Sequence, residues 1–145
     1  MSSIRKAYRI KRPKQYDELL NQLKDKETGV FDTLKSALVF AAAIGFKNKK
    51  RIPIEEAGES IAFNLFSETR DQPFVFALAL SEYQDVSYLR DENFQDTAKV
   101  FEEYAHGGLH YLDGVLEKST IKESIEGMLS EADNEDFVGG LIDSW

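Results

Sequence analysis

The sequence predicts a mostly α-helical, compact domain around one alanine-rich core helix, with a short β-hairpin or ribbon near residues 51–64. Three observations predict it. Apolar residues recur at the helical period along successive stretches of the chain. One run, Leu34 to Ile44, is dense in alanine and apolar on most faces, the pattern of a helix buried at the centre of a fold. Between Arg51 and Asn64 the period shifts to the alternation of strands.

Length and composition support one domain. With 145 residues, 42% of them hydrophobic, the chain can bury an ordinary core without disulfides or metals. Cysteine is absent, which removes thiolate ligands and thiol catalysis. No stretch approaches the roughly 18 apolar residues that a membrane span needs. The basic start is followed by no apolar run of the signal-peptide type. The expectation is a cytoplasmic protein with no membrane partner. Its organisation is a basic N-terminal arm over 1–12, a helical domain over 13–130 and an acidic C-terminal tail over 131–145.

Each element has its own signal. Pro13 suits the first turn of a helix, where its missing N–H costs nothing. Tyr16, Leu19, Leu20 and Leu23 then form one helical stripe, and Thr28-Gly29 ends it. Asp32 or Thr33 caps the next helix. Gly45 is placed to stop that helix, because glycine tolerates the left-handed conformation past a C-terminus. Arg51–Ile54 and Ser60–Asn64 are short β-like runs, the first confined by Pro53 to an edge. A helix begins at Asp71-Gln72-Pro73 and runs to about Gln84. Another begins near Asn93 and carries Val100, Phe101, Tyr104, Leu109 and Leu112. Gly107-Gly108 interrupts its pattern and marks a kink, a break or a close helix–helix contact. Thr120 to Glu123 is a capping box opening a last short helix with Ile121, Ile125, Met128 and Leu129. In the tail, Phe137, Leu141, Ile142 and Trp145 suit docking on this chain or on a partner.

Charge is unevenly placed. Net charge is -8, yet residues 1–14 hold six cations and no acid. These are Arg5, Lys6, Arg9, Lys11, Arg12 and Lys14. Lys47, Lys49, Lys50 and Arg51 form a second cluster. Such clusters suit nucleic-acid phosphate or an acidic partner. Tyr8 and Phe46 lie beside them, as aromatics that stack on bases do. The second cluster also follows a helix C-terminus, where the dipole favours cations with no ligand at all. All ten cations are carried forward as candidate nucleic-acid-binding residues.

Catalytic patterns are weak. Glu103, His106, His110 and Asp113 have the spacing of a metal-binding helix face, but a site needs ligands from a second element, and no other His or Cys exists. The pairs Glu55-Glu56, Asp91-Glu92, Glu102-Glu103 and Glu135-Asp136 read as solvated faces. Neither phosphate loop nor nucleophile elbow is present. The residues predict no enzyme, no cofactor and no resident metal.

Two segments carry a resemblance. One is Phe31-Asp32-Thr33-Leu34-Lys35-Ser36-Ala37-Leu38-Val39-Phe40-Ala41-Ala42-Ala43-Ile44-Gly45-Phe46, followed by basic residues and Ile52-Pro53-Ile54. The other is Phe101-Glu102-Glu103-Tyr104-Ala105-His106-Gly107-Gly108-Leu109. In this order they resemble the DNA phosphorothioation-associated protein 4 family, also called dnd system-associated protein 4, over about Arg9 to Leu116. The tail beyond Lys118 lies outside the resemblance. The resemblance implies bacterial anti-phage systems that replace a backbone oxygen of DNA with sulfur and restrict unmodified DNA. It implies partners and setting, and no catalytic residues. The expected function is a non-enzymatic accessory component, DNA-binding or adaptor. The alternatives are a protein–protein module without DNA contact and a small metal-dependent nuclease subunit using Glu103, His106 and His110. A homodimer suits any of these, because the alanine-rich helix has more apolar surface than a small domain easily covers.

Overall fold

The computed structural model describes residues 5, 7–25, 31–116 and 125–129. Its main helices are α1 (Asp17–Lys24), α2 (Leu34–Lys47), α3 (Asp71–Tyr83) and α4 (Phe94–Leu116). Strands β1 (Arg9–Ile10) and β2 (Ile61–Ala62) form one antiparallel ribbon. Residues 125–129 are helical, and Ile125 is fully buried in the core. The capping box at Thr120, the Thr28-Gly29 stop and the acidic tail lie outside the described residues. No described helix is long and apolar enough to cross a membrane.

Helices α2 and α4 form the centre, each packing chiefly on the other. Thr33 caps α2, its Oγ1 accepting the Ser36 N–H at 3.1 Å. The helix does not stop at Gly45 as predicted. It runs to Lys47, and the left-handed residue that turns the chain is Lys49, at φ 54°. Gly45 serves the helix crossing instead. A Cβ there would collide with the Tyr104 carbonyl, and one on Gly108 with the Ala41 carbonyl. The paired glycines of α4 thus mark a close contact, and α4 continues through them without a break.

The ribbon near residues 51–64 is present through β2, and its partner is the N-terminal segment. Arg9 faces Ala62 and Ile10 faces Ile61. Arg51–Ile54 forms no strand, because it lies along α4, with the Ile52 N–H bonded to the Glu103 carbonyl. Ile10 is fully buried. Phe63, Phe66, Phe94 and Phe101 fill the space between ribbon and helices, with Phe63 and Phe94 rings 4.7 Å apart. Each such buried ring contributes roughly 1.5–3 kcal/mol.

Candidate functional site

The fold uses the two basic clusters in two ways. Its arginines bond inward. Arg5 pairs with Asp91 and lies over the Phe76 ring. Arg9 donates from Nε and Nη2 to the hydroxyl and carbonyl of Ser60. Arg12 is buried, 3.4 Å from both Asp17 and Glu59. Arg51 bridges two helices, with Nη1 on Glu82 of α3 and Nε on Glu103 of α4, each at 2.7 Å. The lysines stand further out. Lys14 pairs with Glu56 while both stay exposed. Lys11, Lys47 and Lys49 are exposed and Lys50 is half-buried. Lys6 lies outside the described residues.

Both clusters reach the same turn of α4. Glu102 is 4% exposed, and its Oε2 accepts the Lys11 backbone N–H at 2.6 Å and the Tyr8 hydroxyl at 3.3 Å. Its neighbour Glu103 is also buried and takes Arg51. Tyr104 donates to Glu82 at 2.7 Å, which closes a network of Tyr104, Glu82, Arg51 and Glu103. The expectation that Glu102-Glu103 forms a solvated face is therefore corrected. The N-terminal segment and the stretch after α2 both lie across α4 there and cover it.

Burial governs the protonation of this region. It pushes the Glu102 carboxyl up to about 7, against the Lys11 N–H and the Tyr8 hydroxyl, which favour the charged form. Burial raises the Tyr104 hydroxyl to about 12, assisted by Glu82. For Arg51 burial works against the charge, but bonds to Tyr83, Glu103 and Glu82 outweigh it and hold the guanidinium above its usual value. Beside Glu102 opens a cleft of about 200 Å³ that Tyr8, Lys11, Ile54, Gln95 and Lys99 also line. A carboxyl near neutrality has a pKa suited to proton transfer. Here its Oε2 clasps the chain's own backbone, so the arrangement fastens the N-terminal segment to α4. Sequence reasoning missed this clasp. Nothing local distinguishes Glu102 from the chain's exposed acids.

The histidines bond within the fold. His106 is buried, with Nδ1 3.1 Å from the Pro53 carbonyl, and His110 Nδ1 lies 3.2 Å from the Tyr16 hydroxyl. Glu103 is committed to Arg51. Among the described residues no group of three or more His, Asp or Glu side chains is placed to hold a metal ion.

The family model for DNA sulphur modification system-associated protein 4 matches residues 9–139. The chain belongs to that family. No curated protein and no solved structure matches the chain. The match to DNA sulphur modification system-associated protein 4 starts at β1, covers the first basic cluster from Arg9 onward, all of the second, and Glu102, and runs to residue 139, so the expectation that the tail beyond Lys118 lies outside the family is corrected. Membership associates the chain with a DNA sulphur modification system, whose other proteins are its partners by association.

Proposed function

We propose that this chain is a non-enzymatic, cytoplasmic adaptor of a DNA phosphorothioation-linked anti-phage system, docking on a larger protein of that system. Internal use of the arginines carries the reading. Arg5, Arg12 and Arg51 each face carboxylates of the same chain, in a molecule of net charge -8. A phosphate could claim Arg51 only by leaving the buried Glu103 unpaired, which is costly. Planar, bidentate arginine is the side chain that grips phosphate best, and at Arg5 and Arg51 it is engaged within the fold.

A second reading keeps direct DNA contact through Lys11, Lys47, Lys49 and Lys50, of which the first three are exposed and the last half-buried. Its support is the exposed turn after α2, where Lys49 in the left-handed region reverses the chain.

Duplex-DNA affinity against salt separates them, using the intact chain and a variant with Lys47, Lys49 and Lys50 changed to Ala. Arg51 is left in place because it holds the fold. The adaptor reading expects weak binding that the substitutions barely alter, and a stoichiometric complex with a purified protein of the system. Tight binding that falls steeply with salt and is lost in the variant overturns it in favour of direct contact.

A further inference from the structure

A second, larger cleft of about 590 Å³ opens where the ribbon meets the start of α2. Four cations line it, Arg9, Arg12, Lys24 and Lys35, against two acids, Asp32 and Glu59. The first turn of α2 also faces it and contains no acid. Exposed Asp32, just before the cap, offsets part of the positive charge of that helix end, and Lys35 in its first turn pairs with Asp71.

Arg12 is the unusual residue. It is 5% exposed, and a guanidinium has five N–H donors. Among the described residues only Nη2 makes a hydrogen bond, a long one of 3.4 Å to Glu59, while Nε and Nη1 are buried with no acceptor. Asp17 lies 3.4 Å from Nε but is not aligned, and its own Oδ1 is also unsatisfied. Glu59, the acceptor it does have, is a cleft residue with a side chain 86% exposed. Such a carboxylate is displaceable at little cost.

The rest of the cleft lining mixes polar Thr33, Ser60 and Asn64 with four aliphatic residues. Leu34, Ile61 and Ala62 form its wall, and Leu65 stands at 64% exposure. A nucleic-acid backbone would leave those groups uncovered and set repeated charges beside Asp32 and Glu59. One carboxylate next to one apolar side chain fits both parts.

We propose that this cleft docks a segment of a partner protein in which an Asp or Glu adjoins a large apolar residue. The carboxylate replaces Glu59 on Arg12, and the apolar group covers Leu65 and Ile61. The proposal rests on the adaptor reading and gives it a site.

The test is an amide NMR titration of the full chain with two blocked hexapeptides, alternating Glu/Asp with Leu in one and Gln/Asn with Leu in the other. The acidic peptide should produce saturable shifts confined to 33–35 and 60–65, with the neutral one at least tenfold weaker. Arg12→Gln should weaken the acidic peptide tenfold or more. Because Arg12 is buried, two exposed-site variants guard against a folding defect. Leu65→Asp should abolish binding, and Glu59→Gln, which removes the internal competitor, should tighten it several-fold. Equal binding of both peptides, shifts elsewhere, no change in Glu59→Gln, or stronger shifts of the same amides by a duplex oligonucleotide would overturn the proposal. The adaptor reading is judged by the lysine variant and the salt series, so either can fail alone.

Discussion

Burial raises the Glu102 carboxyl to about 7 although two donors favour its ionised form. Unfolded, it titrates near 4.5. Between those values the folded chain keeps a proton that the unfolded chain has released. Its contribution to stability is therefore complete below the unfolded value and is lost as pH rises through the folded one. Glu102→Gln keeps an acceptor for Lys11 and removes the ionisation. We expect it to exceed the parent by about 2 kcal/mol at pH 8 and to match it near pH 4, measured by urea unfolding across that range. A difference independent of pH would contradict the assignment to charge burial. Arg51 is the converse case, since its loss strands Glu103, whose side chain is 10% exposed. Arg51→Ala should cost roughly 2–4 kcal/mol. Arg51→Lys should recover only part of that, because an ammonium cannot bridge Glu82 and Glu103 as a planar fork does. Neither residue announces its role in the sequence. A glutamate beside another glutamate and an arginine after two lysines look solvated until distant segments are placed over them.

At the scale of elements, the helices were legible because their signals are local. The Tyr16–Leu23 stripe, the Thr33 cap and the apolar run of α2 each act within a few residues, and the structure has α1 and α2 where they point. What was not legible depended on partners far along the chain. Gly45 looks like a stop from its own neighbourhood and becomes a packing residue only because Tyr104 lies against it. Strand β2 reads as half of a hairpin with 51–54 and pairs instead with the distant N-terminal segment, Arg9 against Ala62 at one end and Ile10 against Ile61 at the other. The glycines offer a test with opposite signs on one helix. Gly108→Ala gains helix propensity but drives a methyl into the Ala41 carbonyl of α2. It should cost about 3 kcal/mol or more in urea unfolding. Gly114→Ala, where a Cβ meets nothing within 4 Å, should stabilise by up to about 1 kcal/mol. If both substitutions act alike, the close crossing of α2 and α4 is not what places glycine at 108.

At the scale of the whole molecule, the N-terminal segment decides how many of these features exist at all. From composition residues 1–12 are a basic N-terminal arm. In the fold, Ile10 is fully buried, the Tyr8 and Phe94 rings meet edge-on at 5.3 Å, Lys11 closes the Glu102 clasp, and Arg9 and Arg12 line the larger cleft. An arm that only reached for phosphate could be removed without harm to the rest. A chain beginning at Pro13 instead loses one buried isoleucine, worth roughly 1.5–3 kcal/mol. It also loses the β1–β2 pairing and the Lys11 N–H bond to Glu102, worth about another 0.5–1.5 kcal/mol as an ordinary hydrogen bond. Such losses are a large fraction of the total stability of an ordinary domain. We expect the truncated chain to show a melting temperature lowered by 10 °C or more by calorimetry, with amide protection lost around Ile61–Phe63 and Glu102. A truncation that melts with the parent and keeps that protection would restore the picture of a free arm. The acidic body would then carry its cations on a tether, and direct DNA contact would gain over the adaptor reading.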